Sequence, residues 1–273
     1  MRPMASIRPA AVAGMFYPGE PRALAAEVAR FLGGDAELAP RLAFPKALVV
    51  PHAGYVYSGA VAASTYARLR AAQDRIRRAV ILGPSHFARV NGLAVGKFEA
   101  MQTPLGEVAI DVESVKRACE LPQVLESAEA HSREHSLEVQ LPFLQRALRE
   151  FTVVPLAVGD ADPEAVAEVI IALWGGEDTV ILVSSDLSHY LPYELASKAD
   201  RRTAGRVLEL RPTLIPNDDA CGATAINGLL LAAAKKGLRP ALLDLRNSGD
   251  TAGPRSEVVG YGSFAFYEGR NAA

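Results

Sequence analysis

Three short, unbroken aliphatic runs constrain this chain more than any other feature: Ala47-Leu48-Val49-Val50, Ala79-Val80-Ile81-Leu82 and Val180-Ile181-Leu182-Val183. None shows the polar alternation of a strand with one wet face, so each reads as a strand covered on both sides. Helical patterns separate the runs, which predicts parallel neighbours joined by crossovers. The expected fold is α/β: one domain over residues 1–273, with a mixed, mostly parallel central sheet covered by helices on both faces. Further strands are expected at 153–158, 241–246 and 257–267, and the extended runs at 93–98 and 107–110 suggest an edge hairpin or antiparallel pair. Helices are expected over 21–31, 60–72, 112–120, 163–174, 193–210 and 221–236. A last helix is expected over 136–150, where Leu137, Leu141, Leu144 and Leu148 have helical spacing. Pro142 inside it predicts a kink or a late start, because proline lacks the amide hydrogen.

A chain of 273 residues, 49% of them hydrophobic, can bury about three quarters of the surface its unfolded form exposes. The polar break from Gly33-Gly34-Asp35 to Pro40 is the one interruption near the N-terminus, and no linker or repeat divides the chain. The formal charge of −2 and the mixing of both signs leave no basic stripe for nucleic acid. No stretch reaches the roughly 18 apolar residues of a membrane span, and Met1-Arg2-Pro3-Met4, with some positive charge but no long apolar core before Pro9, is not expected to open a signal sequence. Two cysteines cannot form a disulfide framework; Cys119 reads as packed in its helix, and this usage fits the cytoplasm.

All five histidines fall where such a sheet would place ligands. His52, His86 and His189 follow the three aliphatic runs, and ligand crevices of open α/β sheets lie beyond the carboxyl ends of the strands. Imidazole is the commonest metal ligand and the usual proton carrier near neutral pH. Asp186, three residues before His189, would accept that ring's Nδ1 hydrogen or orient a ligand histidine, unless it or Ser188 caps the next helix. His189 is read as the acid/base residue.

His131 and His135 share one charged loop. His131 reads as a solvated loop residue, whereas His135, one helical turn from Glu138, suits the wall of a site. Cys221 stands at the start of the 221–236 helix, where backbone amides favour thiolate, a nucleophile and soft metal ligand. Asp218 and Asp219 would supply a carboxylate there or cap the helix. Two histidines and a cysteine suit iron(II), copper or, less well, zinc. The chain has no HExxH, CxxC, GxSxG or GxGxxG motif, which removes the familiar zinc-protease, dithiol, serine-hydrolase and dinucleotide readings.

Seven segments together resemble the Memo family, whose bacterial and archaeal members are called component B of the AmmeMemoRadiSam system. They are Gly14-Met15-Phe16-Tyr17-Pro18, Pro51-His52-Ala53-Gly54-Tyr55, Leu82-Gly83-Pro84-Ser85-His86, Glu134-His135-Ser136-Leu137-Glu138, Ser184-Ser185-Asp186-Leu187-Ser188-His189, Cys221-Gly222 and Gly260-Tyr261. The resemblance implies a fold like that of class III extradiol ring-cleaving dioxygenases. It implies His52 and His86 as metal ligands, Cys221 as the third where those dioxygenases have glutamate, and His189 as the acid/base group. It also implies iron or copper, redox chemistry, and a radical S-adenosylmethionine protein as functional neighbour.

The leading expectation is a metal-dependent redox or dioxygenase-like protein acting on a small substrate, with His189, Asp186 and His135 handling protons. The alternative is a non-catalytic module that binds a peptide or small ligand between Tyr55, Tyr57 and Phe87. A zinc hydrolase is the weaker third.

Overall fold

A computed structural model of the chain describes residues 6–33, 44–210 and 214–269. In chain order the strands are β1 (Ile7–Arg8), β2 (Ala47–Val50), β3 (Arg78–Pro84), β4 (Leu93–Val95), β5 (Ala100–Thr103), β6 (Gly106–Ala109), β7 (Val124–Glu126), β8 (Thr152–Val158), β9 (Thr179–Ser184), β10 (Leu238–Asn247) and β11 (Gly260–Glu268). The α-helices are α1 (Pro21–Leu32), α2 (Tyr55–Leu69), α3 (Val112–Cys119), α4 (Ala128–Ser132), α5 (Leu141–Ala147), α6 (Pro163–Ala172), α7 (Tyr193–Glu209) and α8 (Ala223–Lys236).

The main sheet has the order β10-β11-β2-β9-β3-β8-β4-β7. Its central strands β2, β9, β3 and β8 run parallel, as the aliphatic runs predict. β11 and β10 extend it antiparallel on one side; β4 joins β8 antiparallel on the other and carries β7 parallel to itself. Leu48, Val50, Ile81 and Leu182 face one core, shared with α1, α2 and α5, while Val49, Val80 and Val183 face a second, shared with α6 and α8. Both faces are dry, so apolar side chains fill the middle of these strands, and polar residues such as Thr179 and Ser184 stand only at their ends. Among the described residues no helix is long and apolar enough to cross a membrane.

Several expectations need correction. The runs at 93–98 and 107–110 do not pair: Leu93–Val95 is buried throughout and belongs to the main sheet, between β8 and β7. The hairpin is β5 with β6, in a separate three-stranded sheet with β1. α2 begins at Tyr55 rather than 60, because Gly59 is part of the helix; a Cβ there would lie 2.6 Å from the Phe31 ring, so glycine permits the close approach of α1. Cys119 is exposed, since α3 buries Ser114 and Ala118 instead. Pro142 does delay its helix: a 3₁₀ turn over Glu138–Gln140 precedes α5, and the proline sits in the first turn, where its missing amide costs nothing. The polar break from Gly34 to Pro40 and the opening Met1 to Met4 lie outside the described residues.

Candidate metal centre

The parallel strands deliver their following loops to one edge of the sheet. His52 and His86 lie two residues beyond β2 and β3, and Asp186 two beyond β9, while His135 arrives from the turn between α4 and α5. The rings of His52, His86 and His135 meet: centroids are 5.3 Å apart for 52 and 86, 5.5 Å for 52 and 135, and 4.7 Å for the nearly parallel pair 86 and 135. One nitrogen from each lies within 4.8 Å of the others, close enough to hold a common metal ion.

Hydrogen-bond accounting fixes the tautomers. The Ser184 hydroxyl gives its only proton to the Ser136 carbonyl (2.6 Å) and accepts from Gln140 Nε2 (2.8 Å). It can therefore only accept from His52 Nδ1, 2.9 Å away, which places the hydrogen on Nδ1 and leaves the Nε2 lone pair open. His86 Nδ1 likewise faces Glu134 Oε1 at 2.9 Å, an acceptor, so its Nε2 is open as well. Burial first, then the neighbouring rings of His86 and His135, holds the His52 pKa well below the usual range. Burial also pulls His135 down to about 4. His52 and His135 are thereby held neutral, the form that ligates metals.

Glu134 anchors this wall. Burial alone would raise its carboxyl, but the His86 ring and the amides of Ser136 and His86 outweigh that and bring it to about 2. Its Oε1 is also 3.5 Å from His135 Nδ1. Glu134, Ser184, Ser136 and Gln140 went unrecognised as functional in the sequence. Glu134 alone carried a signal there, as an acid next to a candidate histidine.

Asp186 takes a different part from those expected. Its carboxylate accepts from the backbone amides of His52 (2.7 Å) and Ala53, and so shapes the loop after β2; it neither bonds the His189 ring nor caps a helix, since α7 starts later, behind Pro192. Burial raises its pKa to about 7. Cys221 Sγ comes within 3.3 Å of His52 Nε2 and 3.9 Å of Ser185 Oγ. The thiol precedes α8, whose N-cap is Gly222, and burial followed by Asp186 pushes it up to about 12 in the metal-free protein, against the expected pull of the helix amides. Asp218 and Asp219 do not cap α8; Asp219 pairs with Arg206 at 3.0 Å.

These groups line a cleft of about 1030 Å³, whose walls include Phe16, Tyr57, Tyr190 and Tyr261. His189 lines the same cleft outside the three-imidazole group; it bonds the Leu187 backbone, and burial lowers its pKa. Tyr190, its neighbour, is 72% exposed and adopts a left-handed backbone (φ 56°) uncommon for a bulky residue. Tyr55 is no wall: it is buried, with its hydroxyl on the Val139 carbonyl. Phe87 is exposed near the His86 and His135 rings. His131 is buried rather than solvated, donating from Nε2 to the Ala94 carbonyl at 2.9 Å.

The donor set fits a metal: three imidazoles converge, with a carboxylate and a hydroxyl orienting two of the rings from behind, while the Cys221 sulfur reaches His52 but stands outside that three-donor group.

A family profile described as "Memo-like protein" matches residues 8–265. MEMO1 family proteins of Aquifex aeolicus and Methanosarcina acetivorans are 35% and 37% identical over 266 and 269 residues, covering 93% of this chain and 97% of each relative. The solved structure of uncharacterized protein JW3007 from Escherichia coli K12 is similar in fold, with a TM-score of 0.51 at 14% identity, covering 79% of this chain and 98% of that one.

Proposed function

The chain belongs to the Memo family, and from that premise we propose that it binds iron(II) or copper through His52, His86 and Cys221 for redox or dioxygenase-like chemistry on a small substrate. The observation that carries this reading is the 3.3 Å approach of the Cys221 sulfur to the open Nε2 of His52, beside two further imidazoles. Sulfur with imidazole suits copper(I), iron and zinc; the soft donor and the family resemblance favour the first two. When bound, such an ion supplies electron transfer or Lewis acidity at the cleft floor.

The chain's own residues supply the rest. His189 uses one ring N–H on the Leu187 backbone, leaving its other nitrogen to accept and return a substrate proton. His135, neutral at working pH, is a second proton acceptor or a replacement donor to the ion. Asp186 holds the His52 loop, and Phe16, Tyr57 and Tyr261 exclude water and orient the apolar part of a substrate. Cys119 and Cys221 are unpaired, which suits the cytoplasm.

Metal content after anaerobic purification tests the reading. Wild type should carry iron or copper and the His52→Ala/His86→Ala variant should not; equal metal in both would end it. A sulfur-to-metal absorption band should vanish in Cys221→Ser and persist in His135→Ala. Metal-loaded wild type that shows no such band, together with loss of metal in His135→Ala, would make His135 the third donor.

A further inference from the structure

Arg8 lies far from the cleft in sequence and outside its lining, yet its guanidinium is buried against the segment that presents the imidazole wall. Nε donates to the His131 carbonyl at 2.8 Å, one terminal nitrogen donates to the Glu134 carbonyl at 2.6 Å, and the other pairs with the buried carboxylate of Glu138. A planar fork holding two carbonyls three residues apart fixes the path of the backbone between them. The second of those carbonyls belongs to Glu134, whose side chain orients His86, and the next residue is His135.

Glu138 reaches the same wall by a second route. It accepts from the amides of Ala11 (2.8 Å) and Val12 (3.0 Å) and from the Tyr17 hydroxyl (2.6 Å). This ties down the loop carrying Phe16, whose ring packs 4.6 Å from that of His135. We propose that Arg8, locked by Glu138, is a positioning residue that sets the Glu134–His135 step and through it the directions of the His86 and His135 rings.

A buried pair that only anchored the N-terminal loop would affect stability and leave the rings alone. Arg8→Lys separates the two roles, because it keeps the charge against Glu138 but offers one nitrogen where three are used. With far-UV circular dichroism unchanged, the ¹H–¹⁵N imidazole spectrum of the metal-free protein should show shifted or broadened His86 and His135 resonances beside an unmoved His189. Cobalt(II) affinity should fall by about tenfold or more, and Glu134→Gln added to Arg8→Lys should cost much less than the product of the two single losses. Unmoved rings in folded Arg8→Lys, or losses that simply multiply, would overturn the proposal. The cobalt readout rests on the metal-binding reading above: a wild type that takes up no cobalt would sink that reading, and the ring spectrum would still decide the role of Arg8. If Arg8→Lys does not fold, Glu138→Gln, which keeps one of the two oxygens that accept from the Ala11 and Val12 amides, is read in the same way.

Discussion

Glu134 is the acidic side chain that reaches the Nδ1 atoms of both His86 and His135. It is nearly inaccessible to solvent, so its charge is little screened and its geometry is set by three donors rather than by water. Replacing it with glutamine preserves size but removes the acceptor-only character that forces hydrogen onto the ring nitrogens facing it. Glu134→Gln is expected to weaken metal binding by about 10- to 100-fold while leaving the fold intact, as read by competition against a chromogenic chelator. Unchanged affinity would reduce Glu134 to a brace for the turn before Ser136.

At the scale of elements, the site depends on how closely α8 approaches β9. A Cβ on Gly222 would stand 2.7 Å from Ser185 Cβ and 2.8 Å from the Ser184 carbonyl oxygen, so only glycine lets the helix start where it does. Gly222→Ala should cost about 1–3 kcal/mol in urea denaturation and abolish the sulfur-to-metal band, because the shift carries Cys221 away from His52. A variant with normal stability and an intact band would show that the contact yields freely. The central strands were legible in the sequence because burial on both faces fills their middles with apolar residues, and the strand-end histidines followed from where parallel strands deliver their loops. The Pro142 delay was legible for an equally local reason. What the sequence hid was side-chain direction: Ser184, Gln140 and Ser136 are ordinary polar residues until the crossing of the β9 end with the turn before α5 turns their protons into a fixed relay behind His52. Likewise Asp186 looked like a partner for the nearest histidine in the chain, yet the sheet places it beside the loop of its neighbour β2.

For the molecule as a whole, buried neutral histidines tie stability to pH. Burial pulls His131 down to about 4, despite its bond to the Ala94 carbonyl, whereas an unfolded chain holds it near its ordinary value of about 6.5. Between those values the unfolded state binds the extra proton, so the contribution of His131 is complete above about pH 6.5 and fades as pH falls to about 4, by roughly 3 kcal/mol in total. His131→Gln, which keeps a donor for Ala94, should narrow the gap between urea midpoints at pH 7 and pH 4.5. An undiminished gap would assign the acid sensitivity to His52 and His135, which shift in the same direction. The strand order has a consequence of its own. β2, which ends just before His52, lies between β9 and β11, both from much later in the chain. On a translating ribosome this strand has no sheet neighbour until β9 has emerged, so the loop carrying His52 takes its place in the wall only late in synthesis.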